Sequence, residues 1–169
     1  TDPATTDFAA KRIQATFPNW KNMRHIEPGA EVVAGIRAIG TPGHTMGHIT
    51  YYMPRDKVAF VGDTLFVMGC GRVLEGSHEM MWHSLCRIAS LPPDTRIYCG
   101  HEYTVANARF GLTIEPDNAL LRHRLEEAEQ VVAGGGLTVP TLLDQELQTN
   151  VFLRPHNIAT RTRLGMGAV

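Results

Sequence analysis

Long apolar runs are missing from this chain, and no stretch approaches the roughly 20 residues that a bilayer span requires. A secretory leader pattern is missing too. Neither charge sign dominates: 16 Lys and Arg stand against 17 Asp and Glu, giving a net charge of −1. Without a basic stripe, nucleic acid is not expected as a partner, and without a long apolar run neither is a membrane. Cysteine is scarce, with only Cys70, Cys86 and Cys99 present. Their number is odd and no two have CxxC spacing, so neither a disulfide framework nor a Cys-rich zinc knuckle is expected. Reduced thiols in a cytoplasmic protein are the simple expectation. Internal repeats and low-complexity segments are also lacking, which excludes a solenoid. The first residue is Thr1 rather than Met, so a processed chain or a fragment is expected.

What is present suits one domain with a real core. The chain has 169 residues, 43% hydrophobic and 20% charged. Residues 5–16 have the texture of a short helix stopped near Pro18. Residues 31–39 read as one or two strands around Gly35. Residues 48–53 and 57–62 are rich in strand formers and flank a Pro54-Arg55-Asp56 turn, which predicts a hairpin. Ser77 is placed to cap a helix from about His78 to Leu91, stopped by Pro92-Pro93. Residues 96–99 predict a short strand, and 103–112 and 117–133 predict helices. The second of these carries Leu120, Leu121, Leu125, Ala128 and Val131 at near-helical spacing. Thr141 is expected to cap a short helix reaching about Asn150. Residues 164–169 show no clear structure. The order is α/β (α+β) with a helical tail.

Eight histidines are more informative than the cysteines. Three motifs each follow a predicted strand: Thr41-Pro42-Gly43-His44-Thr45-Met46-Gly47-His48, Gly62-Asp63-Thr64-Leu65-Phe66 and Cys99-Gly100-His101-Glu102-Tyr103. Each sets a ligand-type side chain just past a strand end, where sites of α/β folds assemble. Glycine beside it turns the chain and keeps space open. Two imidazoles and a carboxylate suit a borderline divalent metal. Taken singly, a strand-end Asp is usually a turn former, and a loop His is usually a surface residue. Their concurrence is what points to a site. His44 and His48 are four apart, but Pro42, Gly43 and Gly47 argue against a helix. Only one of the pair is then expected to be a ligand, with the other orienting the loop by hydrogen bonding. His78, His83, His123 and His156 read as surface or helix residues, and Trp20 and Trp82 as packing residues.

The first motif resembles the third motif of metallo-β-lactamase-fold proteins. Gly62-Asp63-Thr64-Leu65-Phe66, the following Gly69-Cys70-Gly71-Arg72, and the run Leu91 to Thr104 resemble the hydroxyacylglutathione hydrolase (glyoxalase II) family. Asn107-x-x-Phe110, Pro140-Thr141-Leu142, Glu146 and Asn150 to Arg154 match it as well. The resemblance implies the C-terminal half of an αβ/βα sandwich over residues 1–103 and a helical region over 104–169. It implies two divalent metal ions, with zinc first and iron or manganese as alternatives. His44 would bind the first metal, Asp63 would bridge both, His101 would bind the second, and His48 would support them. A metal-bridging hydroxide held at Asp63 would attack the thioester of S-D-lactoylglutathione, a small-molecule substrate, releasing D-lactate and glutathione. Arg72 and Tyr103 match positions that contact the glutathione part.

The chain also departs from that family. The HxHxDH motif, which supplies four of seven ligands, does not occur, and His25 stands alone. Leu74 replaces an aromatic residue found in some members, and no basic segment follows the tail. Residues 1–40 look more like lactonases or methyl parathion hydrolases. A lactone, phosphotriester, β-lactam or other ester therefore stays open as a substrate, as does an inactive fragment or binding module. An N-terminal half would cover the strands at 31–39 and 48–62. Without it, an exposed sheet edge is expected to favour self-association.

Overall fold

Alternation of apolar and polar residues drives the strands onto one main sheet. The computed structural model describes residues 31–33 and 35–167. The helix expected over residues 5–16, with Trp20 and His25, lies outside them. Among the described residues six strands form the sheet: β1 Glu31–Val33, β2 Ile36–Gly40, β3 Ile49–Met53, β4 Val58–Gly62, β7 Arg96–Cys99 and β8 Thr141–Leu142. Their spatial order is β1-β2-β3-β4-β7-β8. The expected hairpin is β3–β4, closed through the 54–57 turn and paired Tyr51 to Phe60 and Tyr52 to Ala59. Along β3 the side chains of Thr50 and Tyr52 are buried while Tyr51 is exposed, the period of two that a strand imposes.

All neighbouring strands run antiparallel except β4 and β7, which are parallel. A parallel pair needs a crossover. Helix α1, His78–Ala89, lies within it. Ser77 caps that helix as the sequence predicts, its Oγ accepting from the Met80 amide at 3.1 Å. Met81, Leu85 and Ile88, spaced at three and four, face one way and are buried. They join Tyr52, Ala59, Val61 and Ile97 in the main core. Each of the larger side chains stabilises the fold by roughly 1.5–3 kcal/mol through the apolar area it removes from water.

Between β4 and α1 the chain makes a small hairpin, β5 Leu65–Phe66 against β6 Gly69–Cys70. The tail packs on it. Helices α2, Thr104–Ile114, and α3, Ala119–Ala133, contribute Ala108 and Leu121 to a second cluster with Val67 and Met68 of the hairpin turn. Leu120 and Val131 do not join it and are 52% and 40% exposed. The buried stripe is set by Leu121, Leu125 and Ala128 at four and three, which leaves their neighbours facing water. The tail then returns to the sheet as β8, pairing with β7, and continues as α4, Leu143–Thr149.

Thr141 is not the cap expected of it. It lies in β8, and the helix starts after Leu142 without a side-chain cap. The Thr141 hydroxyl is claimed by buried charges, donating to Glu146 at 2.9 Å and accepting from Arg124 at 2.9 Å. A short helix α5, Ile158–Arg163, was not foreseen. Asn157 caps it, accepting from the Thr160 amide at 3.2 Å. No helix among the described residues is long and apolar enough to cross a membrane.

Candidate metal centre

The parallel pairing of β4 and β7 decides where the chemistry collects. Parallel neighbours end at the same edge, so the residues leaving them, Asp63 and His101, emerge side by side. A register shift between Phe60 and Gly62 and a left-handed Gly62 (φ +50°) turn the chain sharply at the strand end. The loop leaving β2 brings His44 to the same edge. It is closed by the Thr41 amide on the His48 carbonyl at 2.9 Å and held to α1 by Ser84 Oγ donating to the Pro42 carbonyl at 2.6 Å.

Asp63 stands between the two imidazoles. Its Oδ2 lies 3.4 Å from His44 Nε2, and its Oδ1 lies 3.5 Å from His101 Nε2. These separations are long for a hydrogen bond. They fit two donors of one tetrahedral zinc, which sit about 3.4 Å apart when each bond is about 2.0–2.2 Å. The arrangement is two donor pairs sharing one carboxylate. It is not a closed shell, and among the described residues no three His, Cys, Asp or Glu side chains group into a complete metal cluster. His44 is further fixed because its Nδ1 donates to the Arg72 carbonyl at 2.9 Å. That bond places the proton on Nδ1 and leaves the Nε2 lone pair aimed at Asp63, the usual state of a metal-binding imidazole.

His48 has a different place. Its Nε2 accepts from the Asp63 amide at 3.1 Å, so Nδ1 carries the proton and faces the hydroxyls of Thr41 at 3.1 Å and Thr64 at 3.0 Å. Both ring nitrogens are thus spent on the protein. Burial, and then the neighbouring His44, hold this imidazole below the usual histidine range, against the opposing pull of the Asp63 carboxylate. A neutral ring is what the acceptor role at Nε2 demands.

Three glycines leave room for this packing. A Cβ on Gly100 would sit 2.5 Å from Asp63 Oδ1, and one on Gly62 would sit 2.7 Å from His48 Nε2. A Cβ on Gly71 would collide with the Asp63 carbonyl oxygen. The Gly62 amide plane and Gly100 are also tied directly, the Gly100 amide donating to the Gly62 carbonyl at 3.0 Å. Glycine next to each ligand-type residue is legible in the sequence, but which atom needs the space is not.

Arg72 and Tyr103 meet the centre unequally. The Arg72 side chain is exposed, and its carbonyl is the atom that touches His44. Tyr103 is half exposed and stacks on His101, ring centres 5.0 Å apart at 17°. Phe66 packs edge-on against both, 5.9 Å from His101 and 5.4 Å from Tyr103. Sequence reading passed over Phe66, although its place three residues after Asp63 in a short apolar run is the available signal.

Comparison with known proteins gives the chain's family. Residues 3–101 match the metallo-beta-lactamase superfamily, and residues 102–168 match the hydroxyacylglutathione hydrolase C-terminus. A hydroxyacylglutathione hydrolase from Methylococcus capsulatus is 48% identical over 157 residues, covering 86% of this chain and 61% of its own length. One from Maricaulis maris is 59% identical over 126 residues, covering 75% of this chain and 49% of its own. The chain therefore spans about half to three-fifths of the length of these relatives. The crystal structure of TTHA1623 in a di-iron-bound form superposes with a TM-score of 0.53 at 27% identity, over 78% of this chain and 49% of that one.

Proposed function

This chain belongs to the metallo-β-lactamase superfamily, and from that membership we propose that the complete protein is a metal-dependent hydrolase of a hydroxyacyl-glutathione thioester, S-D-lactoylglutathione above all. The observation that carries the reading is the shared Asp63 carboxylate, one oxygen toward His44 and the other toward His101, each at a separation suited to two ligands of one metal. The names of the relatives reported above supply the substrate class.

In this reading His44 and Asp63 would hold one divalent cation, and Asp63 and His101 the other. Both shells would need further ligands. Zinc, iron and manganese all suit imidazole and carboxylate donors. Such cations lower the pKa of water and polarise a carbonyl oxygen. The chain's own residues do the positioning. The Arg72 carbonyl keeps the His44 proton on Nδ1 and frees Nε2. His48 fixes the Asp63 backbone, so both carboxylate oxygens stay directed outward. Phe66 and Tyr103 both pack on the His101 ring and on each other. The exposed Arg72 guanidinium would pair with a carboxylate of the glutathione moiety, and the half-exposed Tyr103 would contact it. Hydrolysis adds water across the thioester bond, the hydroxyl going to the acyl carbon and the proton to the departing sulfur. Among the described residues, those up to 103 would belong to the sandwich segment and those from 104 to 167 to the helical region.

The test is metal content by elemental analysis of the dialysed full-length protein, with thioester hydrolysis followed on the same samples. Bound metal that is lost in Asp63→Ala, with activity lost alongside, is the expected result. Full activity after chelation would end the proposal, and so would strong preference for a lactone or β-lactam.

A further inference from the structure

We infer that Asn150, working with the buried Glu146, is a positioning residue for the metal centre, acting through the loop that begins at Asp63 and ends at Arg72. The inference rests on the metal-hydrolase reading given above and extends it to residues of the helical region.

That one loop bears on all three ligand candidates. Asp63 opens it. Phe66, in β5, packs against the His101 ring. Arg72 closes it, and its carbonyl accepts from His44 Nδ1. A displacement of the loop therefore reaches every imidazole and carboxylate of the site at once. Its turn is strained, because Met68 adopts a left-handed conformation (φ +55°) that a long side chain rarely takes. Something must hold it there.

The tail supplies the clasp. Asn150 is fully buried, and its Nδ2 donates to the carbonyls of Gly69 at 2.9 Å and Phe66 at 3.3 Å. Glu146 is also fully buried, and its Oε2 accepts from the Met68 amide at 2.7 Å and from Asn150 Nδ2 at 3.0 Å. Its Oε1 accepts from Arg124 at 2.8 Å and Thr141 at 2.9 Å, which balances the charge. Asn107 of α2 adds a third hold, donating to the Val67 carbonyl at 3.0 Å. Four successive loop residues, Phe66 to Gly69, are thus fixed through their backbones by side chains of the tail. A buried charge with four satisfied bonds spanning the chain is expensive to build, and here one of the four, from the Met68 amide, falls on the strained turn beside the site.

The experiment measures zinc affinity of the full-length protein by competition with a chromogenic chelator, together with the melting temperature of the zinc-free form. Asn150→Ala removes the hold on Phe66 and Gly69 and leaves the Glu146–Arg124 pair standing. It should weaken zinc binding about 10- to 100-fold, the usual effect of losing a partner that orients a ligand. Asn107→Ala should shift affinity in the same direction by less, and decides the matter if Asn150→Ala does not fold. Glu115→Gln, in the other buried ion pair, serves as the control: it should lower the melting temperature and leave zinc affinity unchanged. Unchanged affinity in the folded Asn variants would overturn the inference alone. So would an equal loss of affinity in Glu115→Gln, since that would mark general destabilisation. A wild-type protein that holds no zinc would overturn both the inference and the reading beneath it.

Discussion

Replacing Gly100 with alanine separates the two halves of the proposed centre. Gly100 has no left-handed backbone to lose, so the effect is one of space. The new Cβ would lie 2.5 Å from Asp63 Oδ1, where real Cβ atoms essentially never come under 3.0 Å. The backbone cannot retreat freely, because the Gly100 amide is bonded to the Gly62 carbonyl at 3.0 Å. The carboxylate oxygen must therefore move by about 0.5 Å at least, well beyond the tolerance of about 0.2 Å on metal–ligand distances. Oδ1 faces His101, whereas Oδ2 faces His44 from the other side. Gly100→Ala should thus cost the full-length protein the metal shared by Asp63 and His101 and spare the one shared by Asp63 and His44. Elemental analysis would show metal content falling toward half, with thioester hydrolysis reduced on the order of 10-fold or more, since a 1 Å misplacement at a reacting centre costs roughly 100-fold and the shift here is about half of that. Overpacking of this kind destabilises the fold by about 1–3 kcal/mol, so the melt should shift without loss of the folded state. Gly47→Ala is the companion control, since nothing lies within 4 Å of a Cβ there. Full metal content and wild-type hydrolysis in Gly100→Ala would refute the assignment of Oδ1 and His101 to one metal.

Two further outcomes follow from titratable groups away from the centre. Burial raises the Glu115 carboxyl, but bonds from Thr160, Asn118 and Arg154 outweigh it and hold the group below the ordinary 4.5. A depressed carboxyl stabilises the folded state at neutral pH and loses that contribution as pH falls from 4.5 through its lowered value. Wild type should lose melting temperature over that acid range more steeply than Glu115→Gln, and parallel curves would count against the pair. Burial pushes the Cys70 thiol up to about 11. In the folded protein it should stay protonated near neutrality and resist iodoacetamide until denaturant is added; fast labelling of Cys70 without denaturant would show that it is not buried.

Much of the fold was legible because local chemistry specified it. The β3–β4 hairpin came from two strand-forming runs around a Pro-containing turn, and the start of α1 from Ser77 before an amphipathic stretch. The three strand-end motifs were legible as ligand-type residues beside glycine. What stayed hidden depended on contacts distant in sequence. Thr141 has the chemistry of a cap, but Arg124 and Glu146 engage its hydroxyl, and no local pattern announces them. Leu120 and Val131 share a helix with the buried stripe, yet only packing on Val67 and Met68 decides which apolar residues turn inward. The clasp of Glu146 and Asn150 on the 66–69 turn spans about 80 positions of sequence, so motif spacing could not reveal it.

The parallel pairing of β4 and β7 has a bearing on the order of events during folding. Hairpins such as β3–β4 close over a few residues and form quickly, whereas β7 reaches β4 only after the whole intervening crossover has been gathered in. Until that slow, nonlocal step is complete, Asp63 stands without His101. On the proposed metal reading, uptake at the Asp63–His101 pair would therefore be a late event, and its rate, followed by stopped-flow with a zinc-sensitive dye, would clock the closure of the sheet.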